Sequence, residues 1–370
     1  MSEPFVMLAA GGTGGHLFPA QALAEELVRR GIAVELATDT RGDRYGGGFP
    51  ARKVHQIASA TLAGHSPGAI AKTGITLTRG VAAAFKLMGA SRPGVVVGFG
   101  GYPSFPPVLA ARMRTIPTAL HEQNAVLGRA NRMLAKRVTA IATSFPNVVM
   151  LDADLASKAR FTGNPVRSAV IAAAATPYAA PLPAGAFNVL VFGGSQGARF
   201  FSDSVPPALA LLAPEIRSRL KVTQQARAED VERVRAAYAA SSIGAEIEPF
   251  FADLPQRMAQ SHLVIGRAGA SSIAELAVIG RPSILVPLPH ALDNDQLKNA
   301  ASLSAAGGAW LIEQKELSPE RLAAEIGRLA GDAPALVAAA AAAKAVGRPD
   351  AVARLADLVE ELMAGRGGAA

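Results

Sequence analysis

The chain has 370 residues, more than a single hydrophobic core usually organises, so its length favours two domains. Half of the residues are apolar, which is enough for two cores, and the absence of cysteine from the sequence excludes disulfide bonds, thiolate metal sites and cysteine catalysis. The formal net charge is +8, and no basic segment followed by an apolar one begins the chain, so we expect no secretion signal.

The first half of the chain alternates short apolar runs with helical patterns. Continuous apolar runs between helices are typical of a parallel sheet that is covered by helices on both faces. The predicted strands are 5–10, 33–38, 54–57, 94–98, 117–120 and 139–143, and the predicted helices are 19–30, 75–88 and 127–135.

A glycine-rich turn follows the first predicted strand. It contains Gly11, Gly12, Gly14 and Gly15, ends at His16, and precedes a helix that Pro19 should open. Glycines let the backbone approach a ligand closely, and a helix N-terminus attracts anions, so the turn is typical of a phosphate site. A tight strand-to-helix turn without a ligand is the alternative. The dinucleotide-binding fingerprint is excluded because Leu17 occupies the position of its third glycine.

Positive charge is concentrated in the first half. Residues up to Arg167 include 19 Lys and Arg against 9 Asp and Glu, whereas the remainder has 18 against 20. Such a half should attract an anionic partner, either a membrane surface or a phosphorylated substrate. Nucleic acid is a weaker candidate, because this region has few aromatic residues and no recognisable nucleic-acid module, and we expect none to bind.

Residues 69–88 combine apolar side chains with Lys72, Arg79 and Lys86. A helix of this composition can rest on an anionic membrane surface. Packing of the same apolar residues into the core is the alternative. The alternation of predicted strands and helices stops at 170–187, and the alanines and prolines of this segment are typical of a linker.

Beyond this linker the alternation resumes, which predicts a second doubly wound domain. A last helix, 349–363, carries apolar residues at helical spacing and should dock on another part of the chain. The predicted strands of the second half are 188–192, 221–225, 247–251, 263–265, 283–286 and 309–312.

Two further glycine turns follow strands, at 98–102 and at 193–197. Loops of this kind at the carboxyl ends of two sheets should line an interdomain cleft and bind a phosphate-rich substrate. A fourth segment, 266–275, predicts a helix whose N-terminus can hold a diphosphate and whose Glu275 can accept bonds from a ribose diol. Glu275 can equally well complement the helix dipole. After the strand 283–286, a polar cluster of His290, Asn294, Gln296 and Asn299 is positioned to bind sugar hydroxyls.

The motifs Gly11–His16, Gly100–Tyr102, 121–124 (HEQN), 163–167 (GNPVR), 193–198 and 267–275 occur in this order along nearly the whole chain. The series resembles that of the MurG-type glycosyltransferases, the undecaprenyldiphospho-muramoylpentapeptide β-N-acetylglucosaminyltransferases of peptidoglycan synthesis. The resemblance implies an α/β chain of the GT-B fold, with two doubly wound Rossmann-like domains. Residues 1–167 would form the acceptor and membrane-side domain, 168–348 the UDP-GlcNAc-binding domain, and the helix 349–363 would pack back on the first.

The resemblance further implies an inverting transfer of N-acetylglucosamine from UDP-GlcNAc to lipid I, giving lipid II and UDP, with roles in cell shape and division. The enzyme would be peripheral on the cytoplasmic face of the inner membrane, with no cofactor and no metal. Donor-contacting positions implied in this way are Thr13, Gly14, Gly15, Asn124, Arg167, Ser195, Phe251, Ala270, Ser271, Ser272, Ile273, Ala274, Glu275 and Gln296. Implied acceptor-contacting positions are His16, Gly100, Gly101, Tyr102 and His121. Glu275 would then hold the uridine ribose.

The transfer needs a base for the attacking C4 hydroxyl and positive groups for the departing diphosphate. His16 is the first candidate base, because an imidazole titrates near neutral pH. Its alternative role is to orient the diphosphate of lipid I. Glu122 is the second candidate, with bracing of the fold as its alternative. Two other functions stay open, namely a UDP-N-acetylglucosamine 2-epimerase or related nucleotide-sugar enzyme and, less favoured, a non-enzymatic nucleotide-binding membrane adaptor.

Overall fold

The computed structural model describes residues 4–11, 14–39, 48–59, 67–194 and 197–367, and for 67–72, 292 and 366–367 it describes the backbone alone. Two compact units divide the chain. We call Met1–Arg167 with Pro349–Ala370 the N-terminal unit, and Ser168–Arg348 the C-terminal unit.

Each unit is built on one parallel sheet. The N-terminal sheet has the strand order β3-β2-β1-β4-β5-β6-β7, and the C-terminal sheet has the order β10-β9-β8-β11-β12-β13. The strands are β1 Phe5–Ala9, β2 Ala33–Thr38, β3 Lys53–Gln56, β4 Val95–Gly98, β5 Thr118–Glu122, β6 Ala140–Thr143, β7 Ala159–Phe161, β8 Phe187–Phe192, β9 Leu220–Gln225, β10 Gly244–Glu248, β11 Leu263–Gly266, β12 Ser283–Leu285 and β13 Ala309–Leu311. Eleven predicted strands are confirmed within two residues at each end, β10 begins three residues before the predicted 247–251, and β7 is an additional short edge strand.

Helices connect the strands in both units. They are α1 Gly14–Arg29, α2 Pro67–Ser91, α3 Gly101–Met113, α4 Arg129–Ala135, α5 Ser168–Ala173, α6 Arg199–Ala210, α7 Pro214–Arg217, α8 Val231–Ala240, α9 Leu254–Gln260, α10 Ala270–Ile279, α11 Asp295–Ala305, α12 Pro319–Ala330, α13 Ala333–Val346 and α14 Ala351–Gly367. No single helix within the described ranges has the length and hydropathy to cross a membrane, although α12 and the helical stretch after it pass that test jointly across a 94° bend.

Two expectations about helices were wrong, and helix α3 was not predicted. Helix α1 begins at Gly14 rather than Pro19, so His16 lies in its first turn and Pro19 lies inside it. Helix α3 forms although Pro103, Pro106 and Pro107 disfavour it, because its buried face contributes to the core and outweighs the lost backbone bonds. The first residues of the predicted linker form α5.

The N-terminal core has two layers, one on each face of the sheet. On one face, Leu355 and Val359 of α14 pack with residues of α1, β1 and β4. Arg30, directly after α1, anchors α14, with Nη1 2.6 Å from Asp357 Oδ1 and 3.3 Å from Glu360 Oε2. The C-terminal residues therefore complete the N-terminal unit.

Helix α2 covers the other face of the N-terminal sheet. Ala84 and Met88 are fully buried there, and Phe85 packs against the same cluster. Gly80 is also buried, whereas Ile75 is 55% exposed and Arg79 and Lys86 are exposed. Core packing therefore accounts for much of the apolar pattern of residues 69–88, and a mixed basic and apolar strip remains on the surface.

The two interior glycines of α2 provide a matched test of this packing. A Cβ at Gly80 would lie 2.1 Å from the carbonyl oxygen of Ala58, so Gly80→Ala must displace α2 and lower the free energy of unfolding by about 1–3 kcal/mol. A Cβ at Gly74 meets no atom within 4 Å, so Gly74→Ala should raise the free energy of unfolding by up to about 1 kcal/mol. Urea unfolding measures both, and a stabilised Gly80→Ala variant would contradict the close contact.

Candidate active site

The strand order of each sheet defines one switch point. In the N-terminal unit the order reverses between the paired strands β1 and β4, and in the C-terminal unit between β8 and β11. Open α/β sheets bind ligands outside the carboxyl ends of the strands at such a point. The segments that leave these four strands begin at Ala10, Phe99, Gly193 and Arg267, so the glycine turns noted in the sequence lie at both switch points.

The imidazole of His16 lies against two glycines that follow β4. A Cβ at Gly101 would lie 3.2 Å from His16 Cδ2, and a Cβ at Gly100 would lie 3.4 Å from His16 Cε1. Both glycines have positive φ, which is 81° at Gly100 and 67° at Gly101. The backbone conformation favours glycine at both positions, and at Gly101 a side chain would also crowd the ring.

His16 is only partly exposed, and its Nδ1 lies 3.2 Å from Gln123 Oε1. Burial lowers the pKa of His16, while its bonds to Gln123 and to the carbonyl of Phe99 partly oppose this effect. The ring is therefore neutral at neutral pH, which is the state a general base needs.

Gln123 and His121, both on or just after β5, are buried behind His16. Gln123 Nε2 donates to the carbonyl oxygens of Phe99 and His121, each at 3.0 Å, and lies 2.9 Å from His121 Nδ1. The other ring nitrogen of His121, Nε2, lies 3.2 Å from the carbonyl oxygen of Gly163. Burial lowers the pKa of His121 to about 4, with a small contribution from His16.

Glu122 points to the loop that follows β5. Its Oε1 accepts from the backbone N–H of Asn124 at 3.0 Å and from Asn124 Nδ2 at 3.4 Å. Its Oε2 accepts from the backbone N–H of Gly128 and from Asn131 Nδ2, both at 2.8 Å. Burial raises the pKa of Glu122, and these four bonds oppose the rise. This geometry favours the bracing role over that of a base.

The other expected residues of the N-terminal unit lie nearby or outside the described ranges. Gly14 begins α1, and a Cβ there would lie 2.9 Å from the ring of Phe18. Gly15 is exposed, and Tyr102 is partly exposed in the first turn of α3. The guanidinium of Arg167 lies 5.1 Å from the centre of the Phe18 ring. Thr13 of this unit and Ser195 of the C-terminal unit lie outside the described residues.

In the C-terminal unit, α10 begins directly after the switch-point turn. Its N-cap, Gly269, makes no side-chain cap bond, and Ala270, Ser271, Ser272, Ile273, Ala274 and Glu275 form the first part of the helix. The Oγ of Ser271 is buried and has no hydrogen-bond partner among the described residues. Glu275 is buried about one turn into the helix. The backbone N–H groups of this turn are the natural ligands of an anion.

Sequence reasoning missed the role of Arg267, although its charge directly after a buried strand could have drawn attention to it. Its Nη1 donates to the carbonyl oxygens of Val286 and Pro287 at 3.0 Å, and its Nη2 donates to Gln314 Oε1 at 2.6 Å. Burial lowers the pKa of Arg267 to about 10. The side chain ties the segments after β11, β12 and β13 together and so positions the start of α10.

The polar cluster after β12 has a similar role. Gln296 Oε1 accepts from the backbone N–H groups of Ala268 and Leu288, at 3.3 and 3.0 Å, so its Nε2 is the group left to face a ligand. The buried Asn299 donates from Nδ2 to the carbonyl oxygen of Ala268 at 3.1 Å. Positive φ angles at His290, Asp293 and Asn294, of 58°, 56° and 54°, are uncommon for residues other than glycine and are typical of ligand-binding loops.

Phe251, one of the expected donor contacts, follows β10. Its side chain is 7% exposed, and the guanidinium of Arg257 lies 4.4 Å from the centre of its ring. Across the described ranges, no group of three or more histidine, aspartate or glutamate side chains is arranged to hold a metal ion.

Two doubly wound parallel sheets with phosphate-type turns at their switch points define the GT-B fold of the glycosyltransferases, which confirms the fold class expected from the sequence. Sequence profiles agree, since that of the glycosyltransferase family 28 N-terminal domain matches residues 6–143 and that of the C-terminal domain of the same family matches residues 188–355. The chain belongs to glycosyltransferase family 28 and is a glycosyltransferase.

Full-length relatives carry one name, UDP-N-acetylglucosamine--N-acetylmuramyl-(pentapeptide) pyrophosphoryl-undecaprenol N-acetylglucosamine transferase. The protein of that name from Rhodopseudomonas palustris (strain ATCC BAA-98 / CGA009) is 56% identical over 96% of this chain and 97% of its own length. That from Mesorhizobium japonicum is also 56% identical, over 98% and 96%. The crystal structure of Acinetobacter baumannii MurG is 29% identical, covers 97% of this chain and 99% of its own, and superposes with a TM-score of 0.80. The resemblance expected from the motifs is confirmed.

The bonds of Glu122 predict a structural effect of its removal. Glu122→Ala removes a buried carboxylate that accepts from N–H groups of Asn124, Gly128 and Asn131, so urea unfolding should show a loss of about 3–5 kcal/mol. The matched control is Glu25→Ala on the exposed side of α1, which should change stability by less than about 0.5 kcal/mol. An inactive Glu122→Ala variant with unchanged stability would instead give this carboxylate a chemical role.

Proposed function

We propose that this enzyme transfers N-acetylglucosamine from UDP-GlcNAc to the C4 hydroxyl of the muramic sugar of lipid I, with inversion, and releases lipid II and UDP. The observation that carries the proposal is 56% identity over almost the whole length of relatives with the corresponding name. Both halves of the chain contribute, since the similarity runs through both switch points. These relatives favour transfer over the epimerase and the non-enzymatic adaptor.

In this proposal the N-terminal unit, residues 1–167, binds the acceptor and supplies the base. His16 fits that role because its ring is held beside Gly100 and Gly101 and because burial lowers its pKa. Glu122 fits it less well, since its carboxylate already accepts four bonds from the loop that carries Asn124. His16 takes the proton of the attacking hydroxyl, while Gly100, Gly101 and Tyr102 line the acceptor side.

The C-terminal unit, residues 168–348, binds the donor. The N-terminus of α10 and the unpartnered Ser271 Oγ support binding of the diphosphate there, where negative charge develops as UDP leaves. Glu275 accepts hydrogen bonds from the ribose, and Phe251 lies beside the uracil. Gln296 donates from its amide to the N-acetylglucosamine of the donor. Ser195 of the C-terminal unit also contacts the donor in this proposal, as do Thr13, Gly14, Gly15, Asn124 and Arg167 of the N-terminal unit.

We also propose that the enzyme is peripheral on the cytoplasmic face of the inner membrane and meets its lipid acceptor there. The support is the positive charge of the first half and the exposed strip of α2 with Ile75, Arg79 and Lys86. An exposed apolar residue among basic ones suits an anionic headgroup region. The side chain of Lys72, expected in the same strip, lies outside the described residues.

Incubation with radiolabelled UDP-GlcNAc and a lipid I analogue tests the function. Label should appear in a disaccharide product, and His16→Ala should lower kcat by about a hundredfold or more while changing the KM for UDP-GlcNAc by less than about twofold. His55→Ala is the matched control. The Nε2 of His55 lies 2.7 Å from Glu35 Oε2, away from this site, so its loss should leave kcat unchanged. Absence of a disaccharide would overturn the proposal, and a free epimer would favour the epimerase.

Vesicle binding tests the membrane surface. Arg79→Gln with Lys86→Gln should weaken binding to vesicles rich in anionic phospholipid by about thirtyfold at low salt, since each basic residue near such a surface contributes about 1 kcal/mol. The matched control is the pair Lys221→Gln and Lys315→Gln, which removes the same charge from exposed positions of the C-terminal unit and should weaken binding less. Equal losses in both pairs, or none in either, would remove the strip on α2 from the proposal.

A further inference from the structure

The side-chain amide of Gln123 has only one orientation that its surroundings accept. One end of the amide faces the carbonyl oxygens of Phe99 and His121 at 3.0 Å, and the other faces His16 Nδ1 at 3.2 Å. Carbonyl oxygens accept hydrogen bonds and do not donate them, so the NH₂ group must face them. A flipped amide would bring oxygen against oxygen twice in a buried site, and Oε1 therefore faces His16.

The amide orientation fixes where each neighbouring histidine carries its proton, because a neutral imidazole has one N–H. Three acceptors share the two hydrogens of Gln123 Nε2, and one of them is His121 Nδ1 at 2.9 Å. The amide nitrogen cannot accept an N–H, so Nδ1 is unprotonated. The N–H of His121 is therefore on Nε2, which faces the carbonyl oxygen of Gly163 at 3.2 Å. His16 Nδ1 faces the acceptor Oε1 and must donate. The two rings therefore carry their protons on opposite nitrogens.

We propose that Gln123 is a positioning residue that, supported by His121, holds His16 as its Nδ1–H tautomer and leaves the Nε2 lone pair available as the base. The inference rests on the proposed function. In the transfer step, Nε2 takes the proton of the C4 hydroxyl as that oxygen bonds to the anomeric carbon. The bond from the anomeric carbon to the diphosphate breaks, and its electron pair leaves with UDP.

Gln123 also influences the basicity of His16. Its bond to Nδ1 raises the pKa of His16 and so offsets part of the lowering by burial. Loss of this bond should lower the pKa further and move the acidic limb of the rate profile to lower pH, because the imidazole then stays neutral in more acidic solution. The titratable side chains near the same ends of the elements around His16 include His121 and Glu122 on β5, Asp39 after β2, Tyr102 on α3 and Arg167 after β7.

Nitrogen-15 NMR of the full-length wild-type enzyme, labelled in its histidine rings, tests the tautomers directly. At neutral pH, His16 should show a protonated Nδ1 and a bare Nε2, and His121 should show the reverse, with signals assigned from His16→Gln and His121→Gln variants. A proton on His16 Nε2, for example shared with the Phe99 carbonyl, or a fully protonated His16 ring would overturn the inference. The measurement needs no substrate, so failure of the transfer assay alone would count against the proposed function only.

The variant Gln123→Met tests the catalytic consequence. It should lower kcat by about tenfold or more, change the KM for UDP-GlcNAc by less than about twofold, shift the acidic limb to lower pH and mix the tautomers of His16. Gln224→Met is the matched control, because Gln224 is a buried glutamine of β9 bonded to the hydroxyl of Tyr238 in the C-terminal unit. It should lower stability but leave the pH profile and the His16 tautomer unchanged. Equal pH shifts in both variants, or none in Gln123→Met, would overturn the inference.

Discussion

Parallel pairing is the constraint on which the sites of this enzyme depend. Because every strand of a unit points the same way, segments from distant parts of the sequence reach one edge of its sheet. In the N-terminal unit this brings His16, Gly100, Gln123 and Gly163 together, from segments that follow β1, β4, β5 and β7. Small changes in strand register would separate them, so the apolar interior of each strand positions the chemistry at its end.

Buried polar groups at this edge then hold the loops in place. A backbone N–H or carbonyl away from water needs a partner, and here side chains supply it where no strand continues. Glu122 bonds the segment after β5, Arg267 bonds the segments after β12 and β13, and Gln296 bonds Ala268 and Leu288. Such bonds fix the loops before any ligand arrives, which reduces the ordering that binding must otherwise cause.

The sequence predicted the features that local pattern encodes. Apolar runs located the strands, and glycines after strands located the turns at both switch points. The sequence did not predict features that depend on distant contacts. One of them is α3, because its prolines disfavour a helix and its buried face is known only from the fold. The role of Gln123 is of this kind, because its partner His16 lies 107 residues away and no spacing indicates the pair. For α2, the sequence left open whether its apolar residues pack in the core or lie on the surface, because tertiary packing decides which of them are exposed.

The lowered pKa of His16 argues against one of the roles that the sequence left open for it, that of a cation beside a diphosphate. A ring that accompanies a diphosphate as a cation must keep its second proton, whereas burial favours the uncharged form and Gln123 only partly offsets this. Positive charge for a diphosphate must then come from groups that stay charged when partly buried. The guanidinium of Arg167 fits, because it lies against Phe18, two residues beyond His16 in α1. A neutral imidazole and a partly buried guanidinium thus allow proton abstraction and anion binding at one helix end without competition for the same proton.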